Sequence, residues 1–356
     1  MRSSRPRPKH RLKSRPASID LTMQHRAIAV LGAGSWGTAL GMHLARRGHR
    51  VQLWDIDQTH IAAMQHEARN QRYLPGIDFP EGLSASADLE QVCDESQHLL
   101  VVTPSHAFVE TLTKIRPWLS AESGLAWATK GLEPGSARLL HEVAEESLGP
   151  DVPLALITGP SFAHEVASGL PTAVTVAAST PAFGASWAEW LHGANFRAYY
   201  TADLPGAELG GALKNVLAVA CGIADGLGLG GNTRAALITR GLAEMMRLGR
   251  SLGASPLTLT GLAGVGDLVL TCTGDLSRNR RLGLALAAGK SREEAVAEIG
   301  QVVEAIRTTE EAMRLAKRYD VEMPITEQVY GILYEGWSPS KGVRVLMGRD
   351  LKPEIE

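Results

Sequence analysis

The residue best suited to chemistry in this 356-residue sequence is a lysine in an almost uncharged stretch. Lys214 lies within residues 207–223, which read as a helix, with Gly210, Gly211 and Ala218 within one turn on its own face. Small neighbours leave room for a ligand, and a partly desolvated lysine has a lowered pKa, so it can exchange protons near neutral pH. The alternative is a lysine whose stem packs while its ammonium reaches water.

A second lysine, Lys130, follows a predicted strand in the segment AWATKG. Parallel sheets bind their ligands beyond the carboxyl ends of the strands. At that position Lys130 could polarise a carbonyl or hold a phosphate. On composition alone, a surface lysine at the end of a strand explains the residue equally well.

Residues 261–281, GLAGVGDLVLTCTGDLSRNRR, place an acid after a glycine-rich stretch and, further on, a run of phosphate-binding groups. Asp267 follows three glycines and could orient a lysine and stabilise its charge. Ser277, Arg278 and Asn279 offer a hydroxyl, a guanidinium and an amide in sequence, which together can cradle a phosphate monoester. The alternative is a glycine-rich loop in which Ser277 caps a helix with a solvated basic face.

Other catalytic patterns are poorly supported. The 11 histidines show neither H-E-x-x-H nor another paired-ligand spacing, so no metal site is predicted. The sequence has no G-x-S-x-G elbow and no G-x-x-x-x-G-K-[ST] loop. Cys93, Cys221 and Cys272 are scattered, which argues against a disulfide framework and favours a cytoplasmic location.

An apolar run that begins at Ala27 is followed by Gly32, Gly34 and Gly37, which are spaced G-x-G-x-x-G. This strand and turn are the element that must position the groups above. In a dinucleotide-binding turn the first glycine permits the tight turn, the second admits a pyrophosphate and the third lets the next helix pack closely. The free N–H groups at the start of that helix face the phosphates. Asp55, 18 residues after Gly37, stands about where such folds place a carboxylate that binds the ribose.

Short apolar runs alternate with helical stretches from Ala27 to about Tyr200, a rhythm that predicts a doubly wound parallel sheet. The candidate strands are residues 28–31, 51–54, 98–102, 125–128, 154–157, 173–177 and 196–200. Helices are predicted over 38–47, 61–68, 137–147 and 181–192. Beyond Tyr200 the strand signal disappears, and helices are predicted over 207–223, 235–252, 281–288, 292–299, 309–318 and 325–335.

The fold class is therefore α/β: an N-terminal Rossmann-type doubly wound parallel sheet followed by a mostly α-helical C-terminal domain. The dinucleotide-binding domain is expected over residues 23–204 and the substrate domain over 205–356, with the chain broken near Pro205. Residues 1–22 are expected to be a disordered basic tail. Met23 is favoured as the natural start, and the alternative is that the tail is a basic interaction arm. A chain of this length exceeds what one hydrophobic core usually serves.

Composition and charge exclude several classes of protein. Residues 1–22 carry seven basic side chains and one acid, so the net charge of −2 for the whole chain leaves −8 for the rest. An acidic body does not favour nucleic acid as a partner. No run approaches the roughly 20 uninterrupted apolar residues of a membrane span, so stable membrane insertion is not expected.

In its motifs the sequence resembles the bacterial NAD(P)-dependent glycerol-3-phosphate dehydrogenases. The matching motifs are GAGSWGTAL, RYLPG, ATKG, TGPSFAHEV, GALKNVLAVACGIADGLGLGGN, GLAGVGDL with LSRNRRLG, and IGQVVEAIRTT with VEMPIT. They follow one another in this order, and the resemblance covers nearly all of the chain from Ala27 to Leu346. The resemblance implies reversible hydride transfer between dihydroxyacetone phosphate with NAD(P)H and sn-glycerol 3-phosphate with NAD(P), for glycerophospholipid synthesis, in a homodimer.

The resemblance also implies roles for individual residues. Lys214 would be the general acid and base, and Lys130 and Asp267 would be further catalytic residues. The residues implied to contact the cofactor, besides the glycines and Asp55, are Ser35, Trp36, Tyr73, Lys130, Ala163, Arg278, Val302 and Glu304. Those implied to hold the small-molecule substrate are Lys130, Gly159, Ser161, Lys214, Asp267, Ser277, Arg278 and Asn279.

The sequence departs from the family pattern at two places. Ala305 stands where the family more often has glycine, which puts the backbone fit there in question. Asp55, Ile56 and Asp57 follow the second strand, where relatives that use NADPH tend to carry a basic residue or histidine. A carboxylate repels a 2′-phosphate and accepts hydrogen bonds from a ribose 2′-OH, so a weaker preference for NADP than is usual in the family, with a lean toward NAD, is predicted.

Two other functions remain open at this point. The chain could act on another hydroxy acid, since a Rossmann domain followed by a helical one serves many substrates. It could also be a non-catalytic nucleotide sensor, in which case Lys214 would be dispensable.

Overall fold

The computed structural model describes residues 26–351, 353 and 354, so the predicted basic tail over residues 1–22 lies outside the described residues. One sheet of eight strands dominates the N-terminal half. The strands are β1 (Ala27–Leu31), β2 (Arg50–Trp54), β3 (Leu83–Ser86), β4 (His98–Val101), β5 (Leu125–Trp127), β6 (Leu154–Thr158), β7 (Thr172–Ala178) and β8 (Phe196–Thr201).

Within the described residues, seven α-helices accompany the sheet and nine follow it. Those of the N-terminal half are α1 (Ser35–Arg46), α2 (Gln58–Glu67), α3 (Leu89–Asp94), α4 (Phe108–Ile115), α5 (Leu140–Leu148), α6 (Ala163–Ala167) and α7 (Pro181–Leu191). The others are α8 (Leu204–Gly226), α9 (Gly230–Ser251), α10 (Pro256–Leu259), α11 (Asp267–Thr273), α12 (Arg278–Ala287), α13 (Arg292–Ile299), α14 (Glu304–Arg318), α15 (Pro324–Tyr334) and α16 (Pro339–Met347).

The strand order is β3-β2-β1-β4-β5-β6-β7-β8. The first six of these strands run parallel, in the 3-2-1-4-5-6 order of a dinucleotide-binding sheet, and the parallel arrangement is as predicted for the five of them that were expected from the sequence. The last two are parallel to each other, but β7 is antiparallel to β6, so the predicted parallel arrangement is wrong for this one pair of strands. The link from β6 to β7 contains only the five-residue helix α6, too short to carry the chain back across the sheet.

Strand β3 was not predicted. Its four residues, LSAS, contain no β-branched or aromatic side chain and form no apolar run, so they lack the usual strand signal. Parallel pairing with β2 determines its conformation instead.

The predicted chain break near Pro205 is the first turn of α8. Proline fits the first turn because its missing N–H would have no partner there. The Asp203 carboxylate caps the helix by accepting a hydrogen bond from the Gly206 N–H at 2.9 Å. The chain therefore passes from the sheet directly into its longest helix.

The core lies on both faces of the sheet and around α8. Alternate residues of each strand face opposite sides, so Val30 and Leu100 lie in one cluster and Leu31 and Val101 in the other. Ala207, in α8, packs into the second of these clusters. The sheet and the helical half are therefore joined through the start of α8.

Two described stretches, Leu204–Gly226 and Pro256–Thr273, are long and apolar enough to cross a membrane by length and composition alone. The apolar window of the first is completely buried inside the protein, as expected for the central helix of a folded domain. The second combines α10, a π-helical turn (Leu262–Gly266) and α11.

Candidate active site

The three glycines after β1 have the geometry that a dinucleotide requires. Gly32 has φ +115°, and a Cβ added to it would meet the Val102 carbonyl oxygen at 2.8 Å. A Cβ on Gly37 would lie 1.9 Å from the Gly32 oxygen, whereas one built on Gly34 would meet no atom within 4 Å beyond its own stretch of backbone. The backbone at Gly34 is thus open at the start of α1, and the loop fits a pyrophosphate.

The two glycines Gly34 and Gly37 are expected to respond differently to alanine. Gly34→Ala should preserve the free energy of unfolding to within about 1 kcal/mol, because its φ of −71° suits alanine. It should weaken NADH binding at least about tenfold by placing a methyl group against the pyrophosphate. Gly37→Ala should instead lower the melting temperature.

Thermal unfolding and calorimetric NADH titration of both variants check this prediction. An unstable Gly34→Ala variant, or one that binds NADH as tightly as the original chain, would contradict the assignment of Gly34 to the pyrophosphate.

Asp55 supports the glycine loop from the end of β2. Its Oδ2 accepts a hydrogen bond from the Ala33 N–H at 2.9 Å, and its Oδ1 accepts one from the Asp57 N–H at 3.1 Å. Both carboxylate oxygens therefore accept hydrogen bonds from backbone N–H groups, a role that the sequence did not indicate. A carboxylate oxygen has a second lone-pair site, so acceptance from a ribose 2′-OH stays compatible with these contacts.

The segment around Tyr73 is tied to the same loop. Ser35 Oγ donates to the Tyr73 carbonyl oxygen at 3.1 Å. The buried Asn70 amide donates to the Ala33 carbonyl oxygen at 2.8 Å and accepts from the Tyr73 N–H at 3.1 Å. Asn70 was missed because an asparagine in a loop carries no sequence signal of its own. Trp36, in the first turn of α1, is half-buried against the core.

Lys214 and Lys130 meet on opposite oxygens of one buried carboxylate. Lys214 Nζ pairs with Asp267 Oδ1, and Lys130 Nζ lies 2.9 Å from Asp267 Oδ2. Lys130 Nζ also donates to the Gly159 carbonyl oxygen at 3.4 Å. Lys214 is 5% exposed and Asp267 1%, so the reading of Lys214 as a solvent-reaching lysine is wrong. The three groups lie beyond the carboxyl ends of β5 and β6.

The pKa of Lys214 is lowered to about 7, because burial and the neighbouring charge of Lys130 together outweigh the opposing effect of Asp267. Burial alone would raise the pKa of Asp267, but the two lysines together hold it below its usual value. The centre therefore contains an ionised carboxylate and a lysine able to give up its proton near neutral pH.

The glycines on the Lys214 face serve close packing. A Cβ on Gly210 would lie 2.3 Å from the Ala263 carbonyl oxygen, in the π-helical turn that precedes Asp267. A Cβ on Gly211 would lie 3.1 Å from Thr158 Oγ1, at the end of β6. Both small residues let α8 approach its neighbours, which brings Lys214 to Asp267 and Lys130.

Ser277, Arg278 and Asn279 lie at the start of α12 and differ in their surroundings. Ser277 Oγ caps the helix by accepting from the Arg280 N–H at 3.2 Å, as the alternative interpretation expected. The Asn279 amide donates to Asn215 Oδ1 at 2.8 Å, and its oxygen accepts from the Ala305 N–H at 3.1 Å. Asn279 therefore joins α12 to the residue after Lys214 and to α14.

Arg278 is exposed, and its guanidinium reaches Gln301 Oε1 at 3.3 Å. It also lies within electrostatic range of Glu304 and Tyr73, although the three residues are far apart in the sequence. The α12 segment thus presents one accessible guanidinium toward the glycine-loop side of the site.

Glu304, the first residue of α14, reaches across to the sheet. Its Oε2 accepts a hydrogen bond from Ser105 Oγ at 3.1 Å, and it lies 3.7 Å from where a Cβ of Gly131 would be. Val302, two residues before it, is 47% exposed. Ala305 is completely buried, so the backbone accommodates alanine at this position. Ser105 was not among the predicted site residues.

The remaining predicted residues follow β6. Gly159 has φ +133°, and Ser161 Oγ donates to the Gly159 carbonyl oxygen at 2.9 Å. Ala163 is the half-buried first residue of α6. Among the described residues, no group of three or more His, Cys, Asp or Glu side chains is placed to hold a metal ion.

A dinucleotide loop beside a buried lysine–aspartate–lysine centre defines an NAD(P)-dependent oxidoreductase. Family models bear this out: residues 27–184 match the N-terminal and residues 203–344 the C-terminal part of NAD-dependent glycerol-3-phosphate dehydrogenase. The chain belongs to this family.

Individual relatives agree with the family models. Over 327 residues the chain is 58% identical to glycerol-3-phosphate dehydrogenase [NAD(P)+] of Stenotrophomonas maltophilia (strain R551-3), covering 92% of this chain and 96% of that protein. The enzyme of Xanthomonas campestris pv. campestris (strain B100) is 57% identical with the same coverage. The crystal structure of glycerol-3-phosphate dehydrogenase from Coxiella burnetii is 50% identical, with a TM-score of 0.88 over 91% of this chain and 99% of that one.

Proposed function

We propose that this protein interconverts dihydroxyacetone phosphate and sn-glycerol 3-phosphate by hydride transfer with NAD(P)H. The observation that carries the proposal is the contact of Lys214 and Lys130 with opposite oxygens of Asp267, beside a loop that fits a dinucleotide. The membership of this chain in the glycerol-3-phosphate dehydrogenase family supports the choice of substrate.

Lys214 is the general acid in this proposal. When bound, the nicotinamide ring supplies or accepts the hydride. As the carbonyl carbon of dihydroxyacetone phosphate gains the hydride, Lys214 Nζ gives a proton to the carbonyl oxygen, so no alkoxide accumulates. Asp267 holds the ammonium in position, and the second positive charge of Lys130 stabilises negative charge that develops on the oxygen.

The phosphate is assigned to the start of α12, where Arg278 supplies an accessible charge and Ser277 and Asn279 supply polar groups. Gly159 and Ser161 are assigned to the wall of the substrate site. The cofactor is assigned to the glycine loop and to the residues around it: Gly32, Gly34, Ser35, Trp36, Gly37, Asp55, Tyr73, Lys130, Ala163, Arg278, Val302 and Glu304.

The lowered pKa of Lys214 predicts opposite pH dependences for the two directions of the reaction. Reduction needs Lys214 protonated, so its kcat should fall as the pH rises through about 7, where Lys214 loses its proton. Oxidation of sn-glycerol 3-phosphate needs the neutral amine and should rise over the same interval. Initial rates in both directions between pH 5.5 and 9.5 check this, and parallel profiles would contradict it.

The proposed reaction is tested by incubating the protein with dihydroxyacetone phosphate and NADH and identifying the product. Formation of the sn-3 enantiomer of glycerol phosphate supports the proposal. Turnover of a 2-keto or 3-keto acid in its place would favour another hydroxy acid substrate. Binding of NADH without turnover of any of them would favour a nucleotide sensor.

We also propose the setting that the family resemblance implies: a homodimer in the cytoplasm that serves glycerophospholipid synthesis. The three cysteines, all in the described part of the chain, are free thiols, as expected in a reducing compartment. Residues 23–204 are proposed as the dinucleotide-binding domain and residues 205–356 as the substrate domain, with the lysine–aspartate–lysine centre formed from both.

A further inference from the structure

The end of β2 lacks the basic residue that a 2′-phosphate needs. Asp55, Ile56 and Asp57 follow this strand, at the position where a dinucleotide fold holds the adenosine ribose. Both carboxylates oppose a second phosphate. A cation for NADPH must therefore come from another part of the chain.

Arg72 supplies a positive charge near the end of β2. Its Nη1 lies 2.9 Å from Asp57 Oδ2, and its guanidinium carbon lies 5.1 Å from the centre of the Tyr73 ring. Tyr73 is in turn joined to the glycine loop, because Ser35 Oγ donates to its carbonyl oxygen at 3.1 Å. Arg72 thus lies between the end of β2 and the segment that contacts the loop.

We propose that Arg72 binds the 2′-phosphate of NADPH and that its pairing with Asp57 sets the preference between NADPH and NADH. The inference rests on the proposed function for the reaction but concerns cofactor binding alone. The guanidinium geometry suits a phosphate, which it can contact through two N–H groups at once.

The surroundings of the pair allow Arg72 to exchange partners. The Arg72 side chain is 57% exposed and that of Asp57 43%, and an exposed ion pair contributes little free energy. Within the described residues, the Arg72 guanidinium donates one hydrogen bond, from Nη1 to Asp57 Oδ2. Its other N–H groups are therefore free for a ligand. A phosphate dianion can then compete with the single charge of Asp57.

Asp57 has a second role that keeps it in place. Its Oδ1 accepts the His60 N–H at 2.9 Å and so caps α2. This hydrogen bond, together with Arg72, lowers the pKa of Asp57, so it is ionised at neutral pH. With NADH bound, the Arg72 charge stays balanced by Asp57, so the same site admits a ribose that has no phosphate.

Two substitutions separate the roles of the pair. Arg72→Ala should lower the ratio of kcat/KM for NADPH to that for NADH by about 10- to 100-fold, since it removes a charged contact to the 2′-phosphate. Asp57→Asn retains an oxygen to cap α2 but removes the competing charge. It should raise the same ratio by about three- to tenfold.

Arg69→Ala is the matched control. Arg69 lies on the same segment as Arg72, its side chain is exposed, and its guanidinium pairs with Asp78 at 3.1 Å. Calorimetric titration of each full-length variant with NADPH and with NADH, without substrate, gives the Kd ratio independently of turnover. An unchanged ratio in Arg72→Ala, or an equal change in Arg69→Ala, overturns the inference. If the original chain binds both cofactors but reduces no dihydroxyacetone phosphate, the proposed reaction fails, while the Kd ratios still decide the role of Arg72.

Discussion

Replacement of Lys214 by methionine is expected to lower kcat for dihydroxyacetone phosphate reduction by at least about two orders of magnitude. Methionine keeps most of the length of the buried side chain but has no proton to give. The carbonyl oxygen would then have to take its proton from water, which lacks a fixed position in the site. Steady-state rates at saturating substrate, with melting temperatures to confirm folding, measure the effect.

The matched control is Lys290→Met, because Lys290 also pairs with a carboxylate, Glu298, but both side chains are largely exposed. The kcat of this variant should stay within about twofold of that of the original chain, since surface substitutions usually have small effects. Near-normal turnover in a folded Lys214→Met variant would remove Lys214 from the role of proton donor.

Asp267→Asn is expected to reduce both stability and activity. The carboxylate is completely buried between two lysines, and breaking a buried ion pair by removing one partner costs about 3 to 5 kcal/mol in the free energy of unfolding. Without the carboxylate, the pKa of Lys214 should fall further, because burial and Lys130 would then act unopposed. Less of the protonated form would remain at neutral pH.

Two measurements follow for Asp267→Asn. Chemical denaturation gives the loss of stability, and the pH profile of reduction should shift toward lower pH. Asp275→Asn is the control, because Asp275 also pairs with a basic residue, Arg280, but its side chain is 95% exposed. A stable Asp267→Asn variant with the original pH profile would show that the carboxylate does not hold the lysines.

Much of the fold was predictable because its signals are local. The G-x-G-x-x-G spacing located the turn after β1, and the apolar runs located seven strands. The reversal of β7 was not predictable from such signals, since it follows from the short link after Thr158 and not from the composition of the strand. Strand β3 was missed because its conformation depends on pairing with β2.

The site shows the same division between local and long-range information. Lys214 was recognisable because a charge in an apolar helix is unusual. Its contact with Asp267 brings together residues 53 positions apart in the sequence, and no spacing rule predicts such a contact. The hydrogen bond from the Ala33 N–H to Asp55 was also not predictable. A carboxylate that binds ribose and one that accepts from a backbone N–H occupy the same position in the sequence motif.

The most direct test of the account is the absorbance at 340 nm when the purified protein meets NADH and dihydroxyacetone phosphate, compared with NADH and dihydroxyacetone. We expect rapid NADH oxidation with the phosphorylated substrate and a kcat/KM lower by at least about 100-fold without the phosphate, since charged contacts at the start of α12 would be lost. Equal rates with the two ketones, or no oxidation by protein that binds NADH, would contradict it.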